Sequence, residues 1–415
     1  MRSKLVGIFG MIVFLGTGAW AGTETVLWNF NPLQGDAGYP SNNTLIADGS
    51  GNFYGATAVD GANGTGAFFE LSPNGNGGWN EAVLHSFGPL GGTADGYYPF
   101  GHIARDKHGN LYGTTETGGT NGTGTVYEMS PTSGGVWTET VIYNFGAYNS
   151  GDATYPLAGL AMDGAGNLYG TTADGGASSN CVDGCGAVYE LSPKSGGGWT
   201  ETILHSFSGN PDGSDIRSGV ILDEAGNLYG TAISGGTHGY GTVYRMKNTK
   251  KGWVLRVLYT FRVKTGANPG YGNLIMDKAG NLYGTAYAGG SHNTGTVWEL
   301  VYSATKNNYS ENVLYNFGPK GGGDGMTPLA GVTLGRNGNL YGTTTWGGTY
   351  MNGTFFELVR LKNGQWKERI VHDFTGSDDG GYPTSDLIKD ATGNLYGLAG
   401  IGGSHLAGVV FEFTQ

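Results

Sequence analysis

A chain of 415 residues with 82 glycines, no Gly-X-Y period, 12% aromatic and only 13% charged residues is neither collagen nor a solvated disordered segment. Its formal charge of −11 argues against a nucleic-acid binder, because neutralising phosphates needs clustered Lys and Arg. The local basic runs at Lys247, Lys250 and Lys251, and at Arg360, Lys362, Lys367 and Arg369, read as solvated turns.

The chain opens with a leader. Arg2 and Lys4 precede an apolar run from Leu5 to Leu15, and Ala19-Trp20-Ala21 is an A-x-A cleavage site. The run is short for a membrane anchor, which is the alternative reading, and ends in Gly-Thr-Gly. Export follows, with a signal peptide over residues 1–21 and a mature chain of formal charge −13 that starts at Gly22 and has no further span.

Next comes "GTETVLWNF", an isolated strand signature, and then a repeat. The Asn of "GNLYGTT"-like phrases recurs at 52, 110, 167, 227, 281, 339 and 394, at intervals of 58, 57, 60, 54, 58 and 55. Such a period marks a supersecondary unit that buries its faces only against its own copies. The unit from Leu157 to Phe207 contains "LAGLAMD", "NLYGTTA", "GAVYELSP" and "WTETILHSF". Each is 6–9 residues long, rich in Thr, Tyr, Val and Trp, and bounded by turn residues, which predicts four antiparallel strands, a to d. Seven such units predict an all-β, seven-bladed propeller in one domain over 22–415. The blade cores fall near 42–87, 101–145, 158–207, 218–261, 272–317, 329–374 and 384–413. The seventh unit stops at strand c, while residues 23–30 resemble a strand d without its blade, so the N-terminal strand is expected to close the ring.

The "D-x-x-G-N-L-Y-G-T-T" and "G-T-V-Y-E-L-S-P" phrases resemble the GloVer (Gloeo-Verruco) tandem repeat of exported bacterial proteins, over nearly all of residues 23–415. The resemblance implies export and repeat architecture. It implies no activity and no catalytic residue. The chain lacks the recognisable C-terminal anchor that members often carry, which favours free secretion over surface attachment.

Cys181 and Cys185 share one loop, and in an oxidising compartment they read as a local disulfide, with a metal pair as the alternative. The strand-b tyrosines 54, 112, 169, 229, 283, 341 and 396 recur in every blade and read as blade-to-blade packing. The strand-d residues Trp79, Trp137, Trp199, Trp253 and Trp366, with Tyr309 in their slot, read as cover for the rim.

The d–a links repeat an Asp and a Tyr-Pro phrase ("DAGYP", "DGYYP", "DATYP", "DGMTP", "DGGYP") and should share one face with the b–c links. Turn chemistry explains the Asp residues, and a sugar-binding surface is the alternative. Function should break the symmetry. Four residues before the strand-a Asp the blades read Thr44, His102, Gly159, Gly219, Asn273, Gly331 and Asp386. The larger polar groups Asp386, Thr44 and His102 fall on blades seven, one and two, adjacent in a closed ring, with Tyr382, Tyr39 and Tyr98 just before them. The alternative is a plain polar channel lining. His238, His292 and His405 follow the b–c Gly pairs, but no carboxylate accompanies them, so no metal or other cofactor is expected. Trp346 stands alone on the same face as a ligand platform. The fourth and fifth d–a links lose the Tyr-Pro phrase and bring Asp215, Arg217, Arg262 and Lys264, which read as drift.

There is no nucleophile elbow, HExxH, phosphate loop or EF-hand loop. The expected function is non-catalytic binding of a glycan or surface partner by a monomer. The alternatives are a secreted polysaccharide lyase or hydrolase using Asp386, His102 and nearby Tyr, and a purely structural envelope protein.

Overall fold

The computed structural model describes residues 22–88, 95–147, 150–319, 322–336 and 338–414; the leader and Gln415 lie outside them. Among these residues the only helix is a 3-10 turn at Pro32–Gln34, and the rest is strand and loop. Seven antiparallel sheets form the blades of a seven-bladed propeller. In the third blade the order runs from Ala161–Met162 through Leu168–Thr172 and Ala187–Pro193 to Trp199–Ser206. Strand b is buried along its whole length and strand d alternates in exposure. Inner strands lie between two neighbouring blades, whereas the outer one faces water on one side.

Strand a is shorter than its apolar phrase suggests. In most blades only two or three of its residues pair with strand b, as at Ile221–Leu222 and Val332–Leu334; only in the second blade is the inner strand continuous, over Gly96–Arg105. Crowding at the axis is the reason. The inner segments bond to each other instead: Gly101 N–H donates to Asn42 O (3.1 Å), Leu160 N–H to His102 O (3.0 Å) and Gly272 N–H to Leu329 O (3.0 Å).

The repeated phrase has a physical reading residue by residue. The Asp takes the turn amides two and four residues on: Asp163 accepts from Ala165 and Asn167 N–H, both at 2.9 Å, and its other oxygen accepts from the Asn167 amide and the Tyr169 hydroxyl. The Tyr ring then packs on the strand-d Trp of the next blade, as in Tyr54–Trp137 and Tyr112–Trp199. Of the two Thr, one reaches the next blade's inner strand (Thr171 Oγ1 to Ser218 O, 2.8 Å) and the other caps its own turn (Thr172 Oγ1 to Asp174 O, 2.8 Å).

The Gly between Tyr and Thr makes room for an aromatic ring. Strand c sets a large ring directly opposite it: Phe69 over Gly55, Tyr127 over Gly113, Trp298 over Gly284. A Cβ on Gly55 or Gly342 would come within 2.6 Å of the facing Phe ring. Each such ring also receives the Phe that follows strand d of the preceding blade. The pairs are Phe30–Phe69, Phe87–Tyr127, Phe145–Tyr189, Phe207–Tyr244, Phe261–Trp298, Phe317–Phe356 and Phe374–Phe411, with ring centroids 5.0–5.4 Å apart.

The pair Phe30–Phe69 belongs to the seam. Glu24–Asn29 pairs with Val409–Phe413 as the outer strand of the seventh blade, as the split repeat predicts, and Phe30 then wedges against the first blade. Cys181 and Cys185 are joined, and Cys185 is buried under the fourth d–a link.

Ring closure through this strand predicts that Phe30→Ala lowers unfolding free energy by about 3–5 kcal/mol, the usual cost of truncating a buried Phe. Deleting residues 23–30 should cost more. Equilibrium denaturation measures both, and a truncated protein as stable as the parent would refute closure.

Candidate functional site

The d–a and b–c links do share one face. Ala37–Gly38 pairs with Val59–Asp60, Ala153–Thr154 with Asp174–Gly175, and Gly325–Met326 with Trp346–Gly347. On this face seven equivalent residues, Tyr39, Tyr98, Tyr155, Asp215, Asn268, Thr327 and Tyr382, take φ of 51–60°. A non-glycine residue there is strained by about 1–3 kcal/mol and persists only when its surroundings hold it. They are held because each N–H donates to a carbonyl of the previous blade's b–c loop, at 2.7–3.2 Å. The d–a phrase is therefore an interblade latch.

Its Asp residues serve the same purpose. Asp95 accepts from Gly96 and Gly88 N–H and pairs with His85 (3.0 Å); Asp152 accepts from Ala153 and Gly146 N–H and the Tyr143 hydroxyl. These carboxylates are turn caps. A Glu from the next strand d lies beside several of them. Burial first, and then the facing carboxylate, raises Glu139 (beside Asp95), Glu368 (beside Asp324) and Glu24 (beside Asp379) from the ordinary 4.5 to about 7, and Glu201 (beside Asp152) to about 8. His85, Asp95 and Glu139 come within 4.8 Å of one another, the spacing of a metal shell. The equivalent trio in the next blade is Tyr143, Asp152 and Glu201, so the arrangement repeats without a metal-ligating His and belongs to the blade interface.

The structure brings Asp386, His102 and Thr44 together at the axis. His102 Nε2 lies 2.6 Å from Asp386 Oδ2 and 3.4 Å from Thr44 Oγ1. Asp386 also accepts the Asn273 N–H (2.8 Å) and the Gly331 N–H (2.6 Å), so it ties blades two, five, six and seven together. Burial pushes its pKa up, but the charge and hydrogen bond of His102 and the two amides outweigh this and hold it below the ordinary 3.8. The glycines in the same slot are forced: a Cβ on Gly159 would overlap the His102 backbone and one on Gly331 would sit 2.5 Å from Asn273 O. At this end of the axis these groups line a cavity of about 20 Å³, room for a water molecule.

Tyr39, Tyr98 and Tyr382 sit outside this cavity lining. Tyr39 is exposed, Tyr98 packs on Tyr97, and Tyr382 meets Trp346 at 4.4 Å; Trp346 is 41% exposed. His405 bonds Ser404 (2.9 Å), His292 faces Phe317 O (3.1 Å), and His238 accepts from Arg262 (3.0 Å), so these histidines are held singly on separate loops.

The opposite side of the mouth holds a cluster that the reading as drift missed. Arg217 Nε donates to Asp215 Oδ1 (2.6 Å), and its guanidinium lies 5.6 Å from the centre of the Tyr271 ring. Tyr271 is stacked on Tyr287 at 6.2 Å. Burial raises Asp174 to about 6, with Asp215 and Asp183 adding to it and Arg217 opposing; burial also raises Glu116, again opposed by Arg217. The available signal was length: Asn273 stands five positions after Asn268, as Thr44 does after Tyr39, where Gly159 stands four after Tyr155, and Tyr271 falls within the longer link.

The fold and this face define a repeat-built seven-bladed β-propeller with one asymmetric, nearly closed mouth. The chain belongs to the Gloeobacter/Verrucomicrobia repeat family, whose model matches residues 10–182, 177–357 and 300–415. No curated protein matches it in sequence. Among solved structures it is similar to the extracellular domain of a hybrid two component system, BT3049, from B. thetaiotaomicron (TM-score 0.53, 13% identity, 95% of this chain and 41% of that one). It is also similar to an ancestral GH74 enzyme (TM-score 0.54, 15% identity, 90% of this chain and 48% of that one). The chain spans less than half of each, and at these identities the likeness is one of fold.

Two predictions follow from the carboxylates. Glu24, Glu139, Glu201 and Glu368 hold protons in the folded chain that the unfolded chain releases near pH 4.5, so they favour the fold fully below that pH and progressively less up to about pH 7–8. Thermal melts across this range should show declining stability, with a shallower slope in Glu139→Gln; equal slopes would refute the assignment. Asp386→Ala should strand two inward amides, each costing about 1–3 kcal/mol, and lower the melting point; an unchanged melt would refute its bridging role.

Proposed function

We propose that this protein is an exported, non-catalytic, monomeric binding propeller that presents its d–a/b–c face to a glycan. The observation that carries this reading is the combination of a mouth closed at about 20 Å³ with symmetry-breaking aromatic residues around it. A chain cannot thread such an axis, but sugars can stack across its rim. The Asp386 carboxylate supports a binding role as well: held ionised by the His102 imidazole and two amides, it is a poor proton donor. Export is supported by the Cys181–Cys185 bond and by the extracellular setting of one structural neighbour. Among the described residues no helix is long and apolar enough to cross a membrane.

One observation favours a carbohydrate-active enzyme as the second reading. Asp174, raised to about 6, has the character of a general acid and lies within the electrostatic reach of Arg217, which borders the mouth. The test that separates the two is a glycan array run beside reducing-end and unsaturation assays on the same polysaccharides. Binding with no release of ends is the expected result. Release of reducing ends or unsaturated products would replace the binding reading with the enzymatic one.

A further inference from the structure

We infer that the cluster Arg217–Asp215–Tyr271–Tyr287 is a subsite for an uncharged, polyhydroxylated sugar, which deepens the binding reading above and rests on it. The four residues come from the fourth and fifth d–a links and the fifth b–c link, where the repeated Tyr-Pro chemistry is replaced or lengthened. Arg217 and Tyr271 border the axial cavity beside His102 and Asp386.

The chemistry of the cluster selects the ligand. The Arg217–Asp215 pair uses Nε on one side and Oδ1 on the other. The side chains are 35% and 33% exposed. A vicinal diol complements such a pair: one hydroxyl accepts from the guanidinium while its neighbour donates to the carboxylate. Tyr271 and Tyr287 are stacked on each other within 19° of parallel and are half-buried, and an outward ring face of such a pair can take the C–H face of a pyranose. The site is held in place without ligand, since Asp215 N–H is latched to Cys185 O (3.2 Å) in the disulfide loop and Ile233 N–H returns to Asp215 O (3.1 Å).

Charge rules out the anionic alternatives. The positive charge of Arg217 is matched by Asp215, and Glu116 and Asp174 lie within its electrostatic reach. A uronate or sulfated sugar would meet these carboxylates with no unmatched cation to receive it. A protonated amino sugar is tested by the oligoglucosamine control, because Asp174, Asp215 and Glu116 outnumber the one guanidinium. An uncharged sugar matches the diol geometry of the pair without the anion's penalty.

The experiment is titration calorimetry of the mature protein with hexasaccharides of glucose, xylose, mannose and galactose, with oligogalacturonate and oligoglucosamine as charged controls. At least one neutral hexasaccharide should bind. Arg217→Met, Tyr271→Ala and Tyr287→Ala should each weaken it by about tenfold or more, while Trp346→Ala stays within about twofold. Thermal melts accompany each variant. If Arg217→Met fails to fold, the two tyrosine variants decide alone. Binding that survives both tyrosine changes and is lost in Trp346→Ala overturns this subsite and leaves the glycan reading standing. Binding only of the charged oligosaccharides overturns the ligand class. No binding to any of them overturns this inference; if the full glycan array is also blank, the wider reading falls with it.

Discussion

Seven times around the ring, a strand-c aromatic lies on a glycine of strand b and takes the edge of a Phe from the blade before it. Everything else is spaced by that wedge. The glycine is required because the ring occupies the volume of its side chain. The Phe supplies the apolar contact between neighbouring blades near the face that carries the links, beside the backbone latches. Interiors pack at crystal-like density, so seven equal wedges impose seven equal blade spacings. The seventh wedge is made by Phe30, which arrives from the other end of the chain, and the ring therefore closes on the same contact that builds it.

Equal spacing has a consequence at the axis. Seven inner strands converge there, and several of their flanking segments bond to a neighbouring blade's inner segment besides the pairing within their own sheets. Side chains are excluded at Gly159 and Gly331, and the little space left is given to one hydrogen-bonded hub. Asp386 is ionised there because it closes circuits that the backbone leaves open: two inward amides and one imidazole. A polar group in such a place rigidifies the ring when every partner is satisfied. The same crowding leaves variation to the rim, where links change sequence and length without disturbing the wedges.

The outer interface follows a different rule. There the strand-d Glu residues approach the link Asp residues as partly buried carboxyl pairs, and one oxygen of each of Glu24, Glu139, Glu201 and Glu368 is buried without a partner among the described residues. The blades are thus held by apolar contact close to the links, by backbone latches on the link face, and by proton-dependent contacts farther out. In the fourth blade Leu255 takes the Glu slot, and Asp212, paired with His205 at 2.8 Å, is held below its ordinary pKa despite its burial.

The sequence alone determined the blade count, the strand order and the closure, because these depend on period and on which half-unit stands at each end. It also determined that Asp386, His102 and Thr44 meet, since adjacency in a closed ring follows from repeat number. Three things only the tertiary structure decided. The inner strands pair within their blades over only a few residues, and segments beside them bond across blades, because convergence at the axis is a property of the assembled ring and not of any one phrase. The link tyrosines adopt left-handed backbone and latch to the preceding blade, so the polar repeat, read from sequence as turn chemistry with a sugar-binding surface as the alternative, holds the fold. And Arg217, Tyr271 and Tyr287, which stand 16 to 70 residues apart, form one cluster because the fourth and fifth links lean on the same mouth. No local pattern records that proximity: it is set by the curvature of seven wedges, and each wedge is too far from the next in sequence for a motif to span.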